Sequence, residues 1–291
     1  MKWTVVTDSA INRDYEQENA MNQETDNERN GVGFYTVPLS LYAGEREFID
    51  DKKLDVSKMV RYLKEYNGKS GSAAPGPSEW KDAFEIADQS VAITLTSALS
   101  GSYRSACAAR DMVLEEDKEK KIFVLDSLSA GPQMMLLADR ALELARKEVT
   151  FSQMQAELEA YKEKTHILFV LEKMDNLMHN GRVSKLEGGV AALLGIRIIG
   201  ETSKDGQLHI FHKIRGRVRA YDKLVEEMVS HGYQGGKVLI HHCNNKEKAG
   251  YVAQKIKALF PDCDIKISLM TGLCSFYAED GGVMVGFECN R

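Results

Sequence analysis

The first half of the chain alternates short apolar runs with longer stretches of helical periodicity. The apolar runs predict strands at Trp3–Val6, Thr36–Tyr42, Val91–Leu95 and Lys121–Leu125. The longer stretches predict helices at Val56–Tyr66, Glu79–Gln89 and Gly101–Leu114, and another that ends near Lys147. Between the first two helices, Gly68–Ser78 is rich in Gly, Ser and Pro and predicts a loop. Strands that alternate with helices indicate a parallel sheet with helices packed on its faces.

The second half alternates the two patterns less regularly. Strands are predicted at His166–Leu171, Leu208–Ile214, Val238–His242, Asp264–Leu269 and Val283–Phe287. Helices are predicted at Phe151–Lys164, Ala220–Ser230 and Lys246–Phe260. We therefore predict an α/β protein with two domains: an N-terminal parallel-sheet α/β domain, residues 1–163, and a C-terminal mixed α/β domain, residues 164–291.

Composition and charge narrow the class of protein. Of the 291 residues, 43% are hydrophobic and 28% are charged, which is typical of a globular protein with a sizeable core. The formal net charge of -5 argues against binding to nucleic acid, because neutralising phosphates requires a basic surface. No apolar run approaches the about 20 residues that a membrane-spanning helix needs, so we expect no stable membrane insertion.

The cysteines and the N-terminal region indicate a cytoplasmic protein. The five cysteines are scattered and form no Cys-x-x-Cys pair, which is typical of reduced thiols. The first residues contain no apolar signal-peptide core. The segment from Asn12 to Asn30 is polar and acidic, and we expect it to be a solvated surface insertion because it has too few apolar residues to form core.

The familiar enzyme signatures are missing from the sequence. It has no phosphate-binding GxxxxGK[ST] loop, no GxGxxG motif after a strand, no HExxH and no GxSxG. His241, His242 and Cys243 are adjacent, but neighbouring residues on a strand point to opposite faces and would not bind one metal ion. We therefore expect neither a metal nor a cofactor.

Hydroxyl-bearing turns follow the predicted strands of the first half. They are Thr7-Asp8-Ser9, Ser70 to Ser78, Thr96 to Ser102, and Asp126-Ser127. Ligands of open α/β sheets bind outside the carboxyl ends of the strands, so four such turns are placed to surround one small polar group. Helix capping is the better explanation for any one of these serines, for example Ser100 before the third predicted helix, but it explains less well why the turns carry so many hydroxyls.

The chemistry of these turns favours binding over catalysis. A nucleophilic serine needs a partnered base, and the first 165 residues contain no histidine. Hydroxyls and backbone N–H groups near a helix N-terminus are donors suited to an anion such as a carboxylate. The alternative is a hydrolase or phosphotransferase in which Ser97 and Asp8 act with a second-domain carboxylate such as Glu279.

An ordered series of short motifs resembles the DegV family over nearly the whole chain. The series consists of Thr7-Asp8-Ser9, Val37-Pro38-Leu39, Phe48-Ile49-Asp50-Asp51, Leu99-Ser100-Gly101-Ser102-Tyr103, Val124-Leu125-Asp126-Ser127, Asn180-Gly181-Arg182 and Arg215-Gly216. The stretch from Leu193 to Ile198 matches an apolar run of the family. Each motif alone is weak, whereas the ordered series is specific.

The resemblance implies a protein that holds a long-chain fatty acid in a tunnel between two α/β domains and catalyses no reaction itself. The family's first carboxylate-binding hydroxyl falls on Ser72, aligned through Pro75. The second falls on Ser97, with Thr96 as the near alternative, and Ser100 and Gly101 of the same turn are included in the predicted fatty-acid site. That predicted site comprises Ser72, Thr96, Ser97, Ser100 and Gly101.

The resemblance also implies a protein partner. Such carriers present the acyl group to a fatty acid kinase, and the family's Arg-Gly stretches help to dock it. Carried over, this role falls on Arg182, Arg215 and Arg217. The alternative is that these arginines are merely solvated surface charges.

The sequence differs from the family pattern at two places, and both affect which head group we expect the ligand to have. The loop Ser72-Ala73-Ala74-Pro75 lacks the usual Ser-Gln, and Phe276 to Gly282 lacks the histidine that helps to place the head group. Glu279 and Asp280 in that second turn would repel a fatty carboxylate unless they face solvent. A lipid with a different or neutral head group is therefore the alternative ligand.

Overall fold

A computed structural model of the protein describes residues 3–12, 32–183 and 195–289. Residues 13–30 of the expected surface insertion, and Leu193 and Leu194 of the apolar family stretch, lie outside the described residues. The described residues fold into three β-sheets with packed helices.

The strands of the described residues are β1 (Trp3–Asp8), β2 (Val32–Val37), β3 (Ser40–Ala43), β4 (Arg46–Ile49), β5 (Ser70–Ala73), β6 (Gln89–Thr94), β7 (Lys121–Asp126), β8 (Thr165–Leu171), β9 (Ile196–Thr202), β10 (Leu208–Arg215), β11 (Lys237–His242), β12 (Asp264–Leu269) and β13 (Val283–Glu288). The α-helices are α1 (Val56–Glu65), α2 (Pro77–Glu85), α3 (Ser102–Glu116), α4 (Gly131–Arg146), α5 (Phe151–Lys162), α6 (Asp175–His179), α7 (Arg217–Ser230), α8 (Lys246–Leu259) and α9 (Gly272–Ala278). A short 3-10 helix at Ser9–Ile11 follows β1.

The first sheet is parallel throughout, with strand order β2-β1-β6-β7. All six residues of β1 are buried, because side chains on both of its faces enter hydrophobic clusters. Val6 packs in one cluster with Trp80 of α2, while Trp3 packs in another with Met134 of α4. The predicted parallel sheet with helices on its faces is confirmed.

A small antiparallel sheet, with strand order β4-β3-β5, lies beside the first. The single strand predicted over Thr36–Tyr42 is wrong, because the chain leaves β2 after Val37 and enters β3 at Ser40. The loop predicted over Gly68–Ser78 is also wrong in part, since β5 pairs with β3 there. Its sequence, Ser-Gly-Ser-Ala, has no apolar alternation, so pairing rather than intrinsic preference makes it a strand.

The third sheet is mixed, with strand order β10-β9-β8-β13-β11-β12. Only β11 and β12 pair in parallel among the described strands of this sheet, and its other pairs are antiparallel. The predicted mixed α/β second half is confirmed. Gly200 in β9 marks a close approach, because an added Cβ would lie 2.5 Å from the His209 carbonyl oxygen.

One of the three hydrophobic clusters of the described residues is shared by the two halves of the chain. It joins Trp3 and Leu125 of the first sheet to Phe169 and Ile198 of the third. The N-terminus of α4 runs directly against β13, where an added Cβ on Gly286 would lie 2.6 Å from the carbonyl carbon of Pro132. The division at residue 163 stays a prediction; the first two sheets use strands up to Asp126, and the third sheet uses strands from Thr165 onward.

Buried polar side chains of the first half also bond to the second half. Asn12 was expected in a solvated segment but is 1% exposed, because its Nδ2 donates to the Leu269 carbonyl oxygen (3.1 Å) and lies 2.9 Å from His241 Nδ1. Asp50 accepts from the backbone N–H groups of Gly272 (2.7 Å) and Leu273 (2.8 Å) and so caps α9. Within the described residues, no helix combines the length and apolar character needed to cross a bilayer.

Candidate functional site

An apolar cavity of about 810 Å³, its open mouth included, lies between the two halves of the chain. Most of its lining is hydrophobic and comes from both halves: Leu39, Ala74, Leu95, Leu99, Ala130, Phe169, Leu171, Leu177, Leu208, Leu273, Cys274, Ala278 and Met284. We call this space the apolar cavity.

The position of a strand end and the hydrogen bonds of two buried carboxylates determine where the walls of the apolar cavity lie. The turn from Leu95 to Gly101 leaves the carboxyl end of β6, which is the edge where open sheets bind ligands. Asp8 fixes this turn, since its buried carboxylate accepts from Leu95 N at 2.8 Å and from the Ser102 hydroxyl at 2.5 Å. Asp50 fixes the facing wall by capping α9.

Burial of these two carboxyl groups changes their titration. Desolvation raises the pKa of Asp8 from 3.8 to about 6, against the opposing effect of its hydrogen bonds to Ser102, Leu95 and Ala10. Desolvation likewise raises the pKa of Asp50 from 3.8 to about 6. Both groups lie behind the cavity wall, so they act on the shape of the site and not directly on its contents.

Four polar side chains reach the apolar cavity among the described residues: Ser72, Ser100, Arg182 and Tyr277. The Ser72 hydroxyl and the Tyr277 phenol oxygen are 2.7 Å apart, so they form a hydrogen bond. The Ser100 hydroxyl accepts from the backbone N–H of Ser102 (3.2 Å), but the N-cap of α3 is Gly101 and not Ser100 as the capping interpretation predicted.

Arg182 brings a positive charge to the wall of the apolar cavity. Its Nε donates to the Leu99 carbonyl oxygen (3.3 Å), and its Nη1 donates to the carbonyl oxygen of Asn180. A guanidinium held in this way beside apolar side chains suits a carboxylate, because charge-assisted hydrogen bonds are strengthened where water is excluded. The sequence assigned Arg182 to a protein partner, and the structure brings it to the cavity.

The five residues predicted to bind the fatty acid divide into two groups. Ser72, Ser100 and Gly101 line the apolar cavity together. Thr96 and Ser97 are not in its lining. The buried Thr96 hydroxyl donates to the Gly206 carbonyl oxygen (2.9 Å), and the exposed Ser97 uses its backbone N–H on Asp126 (3.1 Å).

Arg215 and Arg217 lie where β10 passes into α7, on the exposed surface. Gly216 between them has a φ of +106°, a conformation that favours glycine, and it fixes the turn that separates their side chains. Their predicted role in docking a partner stays a prediction.

The two acidic residues of the altered turn face a different space. Glu279 and Asp280 line a separate polar cavity together with Ser70 and Asn176, and neither lines the apolar cavity. Glu279 accepts from the Asn176 N–H at 3.1 Å, and burial raises the pKa of its carboxyl to about 7. Asp280 forms an ion pair with Lys64 at 2.9 Å, so its charge is compensated. Neither acid therefore repels a carboxylate in the apolar cavity by direct contact.

The residues assigned to the alternative hydrolase or phosphotransferase do not bond to one another in the described part of the chain. Among the hydrogen bonds of the described residues, Ser97 has none to Asp8 or to Glu279, and Asp8 is bonded to Ser102 instead. His241 is buried, which lowers its pKa to about 3, and its Nδ1 lies beside Asn12. The described part of the chain contains no group of three or more His, Cys, Asp or Glu side chains arranged to hold a metal ion.

The family model of DegV proteins matches residues 2–289. The chain belongs to the DegV family. A DegV domain-containing protein of Streptococcus pyogenes serotype M1 is 40% identical over 288 residues, which cover 99% of this chain and 100% of the relative. A DegV domain-containing protein of Streptococcus pneumoniae strain R6 is 38% identical over 290 residues, which cover 99% of each.

Two solved DegV structures that are similar to this chain contain fatty acids. The Streptococcus pneumoniae fatty acid kinase (Fak) B3 protein, loaded with linoleic acid, superposes with a TM-score of 0.93 at 36% identity and full coverage of both chains. A DegV protein from Eubacterium eligens, loaded with heptadecanoic acid, gives a TM-score of 0.90 at 35% identity, covering 99% of this chain and 100% of the other.

Tyr277, like Arg182, is a polar residue of the cavity lining that the sequence did not assign to the ligand. It lies in α9, a helix of seven residues that apolar periodicity alone did not reveal. Its hydrogen-bond partner Ser72 is 205 positions away in the chain, so only the tertiary structure brings the two hydroxyls together.

Proposed function

We propose that this DegV protein binds one long-chain fatty acid in the apolar cavity, with the carboxylate directed toward Ser72, Ser100 and Arg182. The observation that carries the proposal is an apolar cavity, lined by both halves of the chain, into which a few hydroxyls and one guanidinium project. The linoleic and heptadecanoic acids held by the two similar solved proteins support the same ligand class.

The lining suits both the apolar tail and the carboxylate of a fatty acid. Each buried CH₂ of the chain contributes about 0.8 kcal/mol, so the tail supplies most of the affinity. Hydrogen bonds from polar side chains to an ionised carboxylate contribute about 1.5–3 kcal/mol each and fix its orientation. The acidic Glu279 and Asp280 line the other cavity, which supports a carboxylate over the alternative of a neutral head group.

The proposal extends to a carrier role. Similarity to the fatty acid kinase B3 protein supports presentation of the bound acyl group to a fatty acid kinase. The exposed Arg215 and Arg217 are the proposed docking residues, while Thr96 and Ser97, outside the cavity lining, stay predictions as ligand contacts. A cytoplasmic location, in keeping with five cysteines that form no disulfide, belongs to the same proposal.

The test is lipid extraction of the purified protein followed by mass spectrometry. We expect about one fatty acid per chain, retained through gel filtration. Ala130→Trp, which fills the apolar cavity, should abolish retention, whereas Ile86→Trp on an exposed helix end should leave it unchanged. Protein that carries no fatty acid, and takes up none of the added linoleic acid, would contradict the proposal.

A further inference from the structure

The apolar cavity runs along one face of β8, between two polar cavities. Alternate residues of a strand point to the same face. On one face of β8, Phe169 and Leu171 line the apolar cavity. Ile167, the residue before them on that face, lines a third cavity, whereas Lys173, beyond the other end of the strand, lines the polar cavity beside the altered turn. We call the third cavity, which is lined by Ile167, Leu128 and Thr202 among others, the far cavity.

The proposed position of the carboxylate gives the direction of the acyl chain. Ser72 reaches the apolar cavity, and Ser70, two positions along β5, lines the polar cavity at the Lys173 end. Gly101 of the turn after β6 lies close to this end, because an added Cβ would be 3.8 Å from the Cβ of Ala74. The tail of a fatty acid bound in this way points toward the far cavity.

The tip of the β9–β10 hairpin separates the apolar cavity from the far cavity. Leu208, just after the tip, lines the apolar cavity, whereas Thr202 and Lys204, just before it, line the far cavity. At the tip, the Gly206 carbonyl oxygen accepts from the Thr96 hydroxyl (2.9 Å). Both Thr96 and Gly206 are buried, and neither belongs to the described lining of either cavity. Their contact is therefore a partition between the two spaces.

Gly206 fits tightly against the first half of the chain. An added Cβ would overlap the Thr96 hydroxyl and would lie 3.2 Å from the Cα of Leu128. The tip is also closed by its own backbone, since Gly206 N–H donates to the Ser203 carbonyl oxygen (2.8 Å). Among the hydrogen bonds of the described residues, the one from Thr96 is the only one that joins the tip to the first half. Loss of this bond would therefore free the tip without unfolding it.

We propose that Thr96 is a positioning residue that determines specificity for chain length: through its bond to Gly206 it holds the hairpin tip as the end wall of the apolar cavity. This inference rests on the proposed function. A longer acyl chain would have to pass the partition into the far cavity, where Lys204 and His231 are part of the lining and an apolar chain gains little. A freed tip lets Leu208 move back and lengthens the apolar space.

The experiment loads delipidated protein with an equimolar mixture of palmitic, stearic, arachidic and behenic acids and measures the retained acids by mass spectrometry. Wild type should retain behenic acid poorly. Thr96→Val keeps the volume of the side chain and loses its hydrogen bond, so it should raise the ratio of behenic to palmitic acid about tenfold, the gain expected from burying about two more CH₂ groups. Gly206→Ala, which pushes the tip away from Thr96, should raise the same ratio.

Each variant has a matched control. Thr94→Val also removes a buried hydroxyl near the end of β6, but that hydroxyl has no hydrogen-bond partner among the described residues. Gly235→Ala adds a Cβ at another glycine of positive φ (+96°), where it would come no closer than 3.9 Å to Phe260. Both controls should keep the wild-type ratio, because neither residue contacts the hairpin tip.

The outcomes separate the end wall from the function on which it rests. An unchanged ratio in Thr96→Val and Gly206→Ala, or a wild type that retains behenic acid as well as palmitic acid, would overturn the end wall while leaving fatty-acid binding intact. Wild-type protein that retains none of the four acids would overturn the proposed function itself. Should Gly206→Ala fold poorly by thermal melting, Thr96→Val alone carries the comparison of chain lengths and decides the matter.

Discussion

At the scale of single residues, the guanidinium of Arg182 is the strongest electrostatic feature of the apolar cavity. It lies on a wall that is otherwise made mostly of aliphatic side chains, and the carbonyl oxygen of Leu99 helps to hold it. A cation in such surroundings is attracted to a carboxylate more strongly than a solvated one, because the local dielectric constant is lower. Arg182 therefore has a different expected role from the exposed Arg217.

Replacing Arg182 by Gln should weaken binding of linoleic acid by about tenfold, because one charge-assisted interaction is lost. Arg217→Gln removes the same charge from an exposed position and should leave the affinity unchanged. Titration calorimetry on both delipidated variants measures the difference. Equal affinities for the two variants would refute a head-group role for Arg182.

Single residues also show which parts of the candidate site could be predicted from the sequence. Ser100 and Gly101 could be predicted because they lie in the turn that follows β6, which is a local signal, whereas Ser72 lies within β5 and was assigned through the family resemblance. Thr96 lies two residues beyond its strand, but its hydroxyl donates to the Gly206 carbonyl oxygen, a contact that no local pattern reveals. Tyr277 was missed for the same reason, since its meaning depends on a partner in the other half of the chain.

At the scale of secondary structure, β1, β6, β10 and β12 were predicted from apolar runs or from alternation, whereas β4, β5 and β9 were not predicted as strands. β1 and β6 each contain a short apolar run, Val5-Val6 and Val91-Ala92-Ile93, that is fully buried, so hydrophobicity marks them. β5 is a strand only through its pairing with β3, and α9 is short and depends on the cap supplied by Asp50. Tertiary contacts determine such elements, which is why periodicity does not find them.

The crossing of α4 over β13 gives a prediction at this scale. Gly286→Ala should lower the free energy of unfolding by about 1–3 kcal/mol, because the added Cβ would lie 2.6 Å from the backbone of Pro132, where neither element moves freely. The control is Gly250→Ala in α8, where an added Cβ meets nothing within 4 Å and should stabilise the helix by about 0.5–1 kcal/mol. Urea unfolding monitored by circular dichroism compares the two; a destabilised Gly250→Ala, or an unaffected Gly286→Ala, would contradict this account of the packing.

At the scale of the whole molecule, two buried carboxyl groups link stability to pH. Burial raises the pKa of Asp8 and that of Asp50 from 3.8 to about 6. Between these values the folded protein binds more protons than the unfolded chain, so protonation of each group stabilises the fold. This contribution is fully present below the unfolded pKa of 3.8 and is lost as the pH rises through about 6.

Asp50→Asn isolates one of these contributions, because the amide does not titrate and its fixed cost in capping α9 is the same at every pH. The difference in free energy of unfolding between wild type and Asp50→Asn should therefore grow in favour of wild type as the pH falls from 7 to 4, by as much as about 3 kcal/mol. Urea unfolding across this range measures it, with Gly250→Ala as a variant whose difference from wild type should stay constant. A difference that stays flat or shrinks on acidification would mean that Asp50 is ionised at no free-energy cost. In that case the wall of the apolar cavity at α9 would be open to water, and the dry environment that strengthens the head-group interactions would be lost.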